Sequence, residues 1–247
     1  MSGHSKWATI RRKKEKLDAA RGKVFSSLIK EITIAARTGG GDPNGNPRLR
    51  TAIDSAKAAN MPASNIDRAI KKGTGELPGV SYEEVVYEAY GPGGTALLIE
   101  TYTDNRNRTT GELRHMISKH GGNMAEAGSV GWMFSRQALI TILDEGVDED
   151  ELMMAALEAG ADDVKHEDGE FEINAAPEKL DEIRQTIENA GFKIEQAEVA
   201  KVSQTEVMVE GTQARQLLRI MEALEDHDDV QKVWSNFDIP ESILEEE

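Results

Sequence analysis

The chain has 247 residues, enough for one to three domains that each bury a core. With 38% hydrophobic residues and no cysteine, it is neither a wholly disordered chain nor a protein with a disulfide framework, thiolate metal sites or a thiol nucleophile. The net charge of −16 divides unequally: residues 1–75 hold 16 Lys and Arg against 6 Asp and Glu, and residues 76–247 hold 13 against 39, so a +10 head precedes a −26 remainder. Such asymmetry points to a basic segment that meets nucleic acid or another anionic surface; the bland alternative is a set of solvated basic helices. Met1–Ile10 lacks an apolar stretch and no long apolar run follows, so the expectation is a soluble cytoplasmic protein without a membrane partner.

The tail before the first helix carries Lys6 and Trp7, and an exposed Trp7 can stack on an unpaired base or fold back onto the helices that follow. His4 has no second ligand nearby and is read as neither metal-binding nor catalytic. Arg11 to Thr38 reads as one long helix, with Leu17, Ala20, Val24, Leu28, Ile32 and Ala35 on its apolar stripe and Gly39, Gly40 and Gly41 as its stop. On another side stand Lys16, Lys23, Lys30 and Arg37, seven residues apart, a basic rail roughly 31 Å long that Arg11, Arg12, Lys13 and Lys14 extend.

Asn46-Pro47 opens a second helix with Leu49, Ala52, Ile53 and Ala56 inward and Arg48, Arg50 and Lys57 outward. After Met61-Pro62, Ser64 and Asp67 resemble a capping box for a short third helix ending at Gly73, past Lys71 and Lys72. Two helices joined by a tight turn can enter a DNA groove, although plain bundle packing has the same geometry.

Gly73–Gly79 reads as a linker, and beyond it strands alternate with helices. Glu83–Tyr90 and Thr95–Thr103 form a hairpin around Gly91-Pro92-Gly93-Gly94, whose glycines lack the Lys-Ser/Thr of a phosphate-cradling loop. Thr110–His120 is helical, and Asn123–Phe134 is extended. Gln137–Leu143, Asp148–Ala159, Asp163–His166, Glu170–Asn174, Glu178–Ala190 and Phe192–Ser203 follow in βαββαβ order, the ferredoxin-like pattern. Thr205–Glu210 reads as an extension of the last strand, Thr212–Leu224 as a helix and Val230–Phe237 as a closing strand.

The early strands and helix lack a second helix and a fourth strand, which the C-terminal segment would supply. The expected fold is therefore multidomain, α and α+β: a three-helix domain (1–75), then two ferredoxin-like domains, one discontinuous (80–131 plus 205–240) with the other (132–204) inserted in it.

No catalytic constellation stands out. His115 and His120 are five apart and fail the HExxH zinc pattern, and there is no nucleophile elbow or EF-hand spacing. Asp148 to Glu151 open a helix, where acids favour the dipole. Arg106 and Arg108 lie among small polar residues at a strand-to-helix turn and are candidate anion or partner contacts. The acidic Gly169–Asn174 strand fails as an RNA-recognition motif, and Trp132 and Phe134 read as core.

Met1-Ser2-Gly3-His4-Ser5-Lys6-Trp7-Ala8-Thr9-Ile10-Arg11-Arg12-Lys13-Lys14, Arg21–Phe25, Gly40–Pro43, Asn60–Pro62, Tyr87–Gly94, Thr103–Thr109 and Gly131–Phe134 together resemble the YebC family across the whole chain. The resemblance implies a cytoplasmic bacterial protein with a helical domain and two α/β domains. It also implies a role as a probable DNA-binding transcriptional regulator; mitochondrial relatives are translational activators and bacterial ones are linked to the ribosome and relief of stalling. No enzymatic activity, cofactor or metal comes with it.

The expected nucleic-acid contacts are Lys6, Trp7, Arg11, Arg12, Lys13, Lys14, Lys16, Lys23, Lys30, Arg37, Arg48, Arg50, Lys71 and Lys72, to DNA or to rRNA within the ribosome. The acidic remainder would repel phosphate and is expected to face a basic protein partner. A ligand-sensing module is the rival reading from another class.

Overall fold

A computed structural model describes Trp7, residues 20–167 and residues 169–240. Helices α1 (Ala20–Gly39), α2 (Pro47–Ala58) and α3 (Ala63–Gly73) form the basic head. Their core is Ile32, Ala35 and Ala36 against Leu49, Ala52, Ile53 and Ala56, closed by Met61, Ile66 and Ala69. Val24, expected on the buried stripe, is exposed, and Phe25 and Ile29 pack in its stead.

Asn46 fastens two helix ends at once. Its Oδ1 accepts from Leu49 N at 3.1 Å as the N-cap of α2, while its Nδ2 donates to Ala35 O and Gly40 O, both at 2.8 Å, at the end of α1. The C-terminal end of α3 presses on α1 so closely that a Cβ at Gly73 would sit 2.5 Å from Thr33 O. The expected Ser64–Asp67 capping box is not used: Pro62 occupies the N-cap of α3 and no side chain caps it.

The first sheet is antiparallel, in the order β3-β1-β2-β9, from β1 (Glu83–Tyr90), β2 (Ala96–Thr103), β3 (Asn123–Met124) and β9 (Val230–Ser235). Alternation puts Val85, Tyr87, Ala89, Leu97 and Ile99 on one face. There they meet Leu113 and Ile117 of α4 (Arg106–Lys119) and the apolar stripe Ala214, Leu217, Leu218, Met221 and Leu224 of α7 (Gly211–Asp226). The fourth strand thus arrives from beyond the second sheet. Because its helix and strand come last, the connectivity is ββαβ followed, after the second sheet, by αβ, and not βαββαβ.

The second sheet does follow βαββαβ. Strands β4 (Phe134–Leu143), β5 (Asp163–Glu167), β6 (Glu170–Ala175) and β7 (Gln196–Ser203) lie in the order β5-β6-β4-β7, the ferredoxin-like arrangement. Helices α5 (Glu149–Glu158) and α6 (Leu180–Asn189) bury Leu152, Ala156, Ile183 and Ile187 against Ala138, Ile140, Ile142, Phe171 and Ile173. The two sheets touch through their helix-free faces, with Leu98 and Trp234 of the first on Leu139 and Ala200 of the second.

Three expectations near these sheets are corrected. Thr205–Glu210 does not prolong β7: β8 (Val207–Met208) pairs in parallel with β10 (Phe237–Asp238), because Asn236 breaks the last strand and its Oδ1 accepts from Ala96 N at 2.7 Å. The fourth helix begins at Arg106 and not at Thr110, since Asn105 caps it by accepting from Arg108 N at 3.1 Å. Trp132 is not core; the residue is 75% exposed. Among the described residues no helix is long and apolar enough to cross a membrane.

Candidate nucleic-acid interface

The heptad spacing of the basic residues on α1 is realised, but the face they share turns toward the body: Lys30 is buried and Lys23 half-buried, while Arg37 at the end of the helix stays exposed. Lys30 is only 9% exposed, and its Nζ donates to Asp229 Oδ1 at 2.9 Å, Asp228 O at 2.8 Å and Tyr102 O at 3.3 Å, all from the acidic body. The Tyr82 ring lies 5.4 Å from the same ammonium. Ser27 pairs with Gln231, and Arg37 donates to Ser81 Oγ. The rail is therefore the seam along which the head packs on the body. Periodicity fixed which residues share a face, and the carboxylates of the body decided what covers it.

Asp229 is the hub of that seam. Its side chain is 6% exposed and it accepts from Lys30, from Arg108 Nη2 at 2.6 Å and from Thr109 Oγ1 at 2.8 Å. Burial alone would raise its pKa, but the hydrogen bonds from Lys30, Arg108 and Thr109 outweigh it and hold the carboxyl far below the usual carboxylate range. Arg108 also pairs with Asp104 at 3.0 Å, so its charge is spent on this network although its side chain is partly exposed; Arg106 beside it is exposed. His227 completes the arrangement, accepting at Nδ1 from Asp229 N at 3.1 Å, which leaves Nε2 to donate to Glu112 at 2.8 Å.

Arg48 is likewise committed. Its guanidinium forks onto Glu31 at 2.8 and 3.2 Å and reaches Glu84 and the Tyr102 hydroxyl at 3.0 Å, and the hydrogen bond to Glu31 raises its pKa further. Burial, then the hydrogen bond to Glu31, pushes the Tyr102 phenol well above its ordinary value.

Trp7 is 3% exposed and belongs to the core of the first sheet with Val85, Leu217 and Phe237. With no open ring face it cannot stack on a base, and it packs on the α+β body, not on the three-helix bundle. Lys6, Arg11, Arg12, Lys13, Lys14 and Lys16 lie outside the described residues. Lys23 is half-buried.

Besides Arg37, the head keeps open a smaller basic surface on α2 and α3. Arg50 and Lys71 are exposed and Lys72 half-buried. Arg68, which the sequence reading passed over, is exposed three residues before Lys71, a spacing that places both on one side of α3. Lys57 is exposed too, 3.7 Å from Asp54.

These helices coincide with the first of two family models that the chain matches: the TACO1/YebC protein N-terminal domain over residues 5–76, and the TACO1/YebC second and third domain over residues 82–237. The chain belongs to the TACO1/YebC family. A relative in Geobacter sulfurreducens is 58% identical over 99% of both chains, and one in Dictyoglomus turgidum is 55% identical over 99% of both; each carries the name probable transcriptional regulatory protein. The crystal structure of a conserved hypothetical protein from Aquifex aeolicus, 48% identical, superposes with a TM-score of 0.79 over 91% of this chain and 93% of its own.

Within the TACO1/YebC second and third domain, one surface feature escaped the sequence reading. The Glu88 carboxylate accepts from the backbone N–H groups of Gly128, Val130 and Gly131 at 2.8, 2.6 and 3.0 Å, which offset its burial and hold its pKa below the ordinary value. The tethered loop presents Trp132 outward, its Nε1 bonded to Ser129 O at 3.0 Å. The available signal was the flanking Gly128 and Gly131, since a Cβ at Gly131 would lie 3.1 Å from Glu88 Oε1.

Proposed function

We propose that the chain is a non-enzymatic, nucleic-acid-binding regulator of gene expression, acting in the cytoplasm with DNA as its target. The observation that carries this reading is the pair α2 and α3, joined by a tight turn at Asn60–Pro62. They carry exposed Arg50, Arg68 and Lys71 on a head of charge +10, while the rest of the chain is −26. The names of the relatives, probable transcriptional regulatory proteins matched over nearly their whole length, support it.

Cations on these helices attract phosphate by releasing its counterions, and such contacts position a protein without reading sequence. Sequence reading falls to α3, the second helix of the pair, whose exposed Ser64, Asp67 and Arg68 would face base edges in a major groove. Lys30, Arg48 and Arg108, committed to carboxylates, take no part; Arg106 remains a candidate anion contact. The acidic body repels phosphate and turns toward a basic protein.

Replacing Arg50, Lys71 and Lys72 together by Gln should weaken binding to duplex DNA and reduce the log–log salt slope by about 3. An unchanged slope in an electrophoretic or fluorescence titration would refute the assignment of this surface. Crosslinking in cells, with sequencing of both DNA and RNA, checks the target: recovery of rRNA in place of promoters would move the same surface to the ribosome.

A further inference from the structure

The helix-free face of the second sheet carries an unusual load of buried polar side chains. Glu172 is almost wholly buried and Asn174 is 7% exposed, two residues apart on β6 and therefore on the same face. The register sets Lys165 and Thr141 beside Glu172, and Asp163 beside Asn174. Glu172, Asn174, Lys165 and Asp163, together with Ser203, Gln204 and Glu206, line a cleft of about 510 Å³ that runs across β5, β6, β4 and β7. None of its lining residues belongs to the basic head.

Asn174 has one satisfied end and one that is not. Its Nδ2 donates to Glu172 Oε1 at 3.0 Å, which fixes the orientation of the amide. Oδ1 is then left buried and without a hydrogen-bond partner, in a side chain that lines the cleft. A buried acceptor in that state costs stability unless a donor arrives, so it marks a place where a ligand's N–H group is wanted.

The charge of the lining says what kind of donor. Asp162, Asp163, Glu172 and Glu206 face a single ammonium, that of Lys165. An anion is repelled, and among the described residues no cluster of carboxylates and histidines has the geometry to hold a metal ion. A ligand that carries positive charge on several N–H groups fits both facts, because one N–H can reach Asn174 Oδ1 while others meet the rim carboxylates.

We infer that this cleft binds an organic cation, a guanidinium or primary ammonium group, with Asn174 Oδ1 as the deep acceptor and Asp163 and Glu206 as the charged rim. The group can belong to a free amine or to an arginine side chain offered by a protein. Lys165, the single ammonium in the lining, competes with the ligand for the carboxylates.

The test is an NMR titration of the full-length chain, read at the backbone amides of Lys165, Glu172 and Asn174. The probes are arginine amide, spermidine and acetyl-Gly-Arg-Gly-amide, with citrulline amide and sodium chloride as controls. At least one cationic probe should give saturating shifts that neither control reproduces. Saturation at lowest concentration by the tripeptide assigns the site to a protein's arginine, and by spermidine to a free polyamine; both uphold the inference. Asn174→Leu should weaken binding at least tenfold, and Lys165→Met should tighten it. If Asn174→Leu fails to fold by its thermal melt, the exposed Asp163→Asn variant is read in its place and should also weaken binding. Equal shifts with citrulline amide, no saturation with any cationic probe, or affinity indifferent to these substitutions would overturn it.

Discussion

At the scale of single residues, the chain repeatedly uses one polar side chain to close two backbone problems. Asn46 caps α2 and at the same time ties off two carbonyls at the end of α1. Asn46→Ala should cost about 2 kcal/mol in a denaturant melt, at the top of the range for a lost N-cap, because the carbonyls of Ala35 and Gly40 also lose their donor. Asn46→Asp keeps the cap but turns an acceptor toward those carbonyls, so it should be no better than alanine. The cap was legible, since Asn-Pro is a helix-opening pair by its own chemistry. The second role was not, because it depends on where α1 stops relative to α2. The tryptophans teach the same lesson in opposite directions. Trp7 sits in a polar tail and reads as either an exposed ring or one folded back onto the helices, yet it fills the first sheet's core, while Trp132 alternates with Phe134 like a core strand and yet stands in solvent. Local pattern reports the element, and burial is set by what arrives from elsewhere. Trp132→Ala should accordingly leave the melting temperature within about 1 °C of wild type, the small effect of a surface substitution, as a calorimetric scan can establish.

At the scale of elements, the informative case is α1. Its seven-residue spacing of Lys and Arg gives a one-sided stripe on any helix, and that much was readable. Whether the stripe meets phosphate or protein depends on Asp229, almost two hundred residues away, delivered just before β9. Asp229→Asn leaves the Lys30 ammonium buried with two carbonyls but no counter-charge, and should destabilise the protein by roughly 3 kcal/mol at neutral pH. The sign of the pH dependence follows from linkage. The folded carboxyl titrates well below the unfolded one, whose ordinary value is about 3.9, so the native state binds fewer protons. The contribution is complete above that value and drains away as pH falls through it toward the depressed folded value. Urea melts of wild type and Asp229→Asn should therefore differ by a constant amount from pH 8 to about pH 5, then converge on acidification. A gap that persists undiminished in acid would remove the ion pair from the account. The same distance effect explains the first sheet. Its missing second helix and closing strand could be inferred because the early strands and helix make an incomplete α+β unit, whereas the parallel pairing of β8 with β10 left no periodic trace in so few residues.

At the scale of the whole molecule, the net charge of −16 is the sum of a basic head and an acidic body, and the seam at Lys30 and Arg48 consumes part of the head's charge internally. The cations left for a polyanion are fewer than the sequence count, so the repulsive body weighs more in the balance than that count suggests. It acts at long range, through a field that salt screens with a Debye length near 8 Å at physiological ionic strength. Glu145, Glu158 and Glu188 are exposed carboxylates on the second α+β unit, remote in sequence from the proposed contact helices and without a role in helix capping. Replacing all three by Gln should leave stability within about 0.5 kcal/mol, as for surface positions generally. Nonspecific duplex binding should then strengthen by a few-fold at low salt. The gain should shrink steadily as salt is added, because repulsion across the body is screened while direct phosphate contacts at α2 and α3 change only by counterion release. Equal affinities of the variant and the wild type at low ionic strength would mean that the body lies too far from the bound polymer to orient it. The acidic surface would then be explained by its protein partner alone.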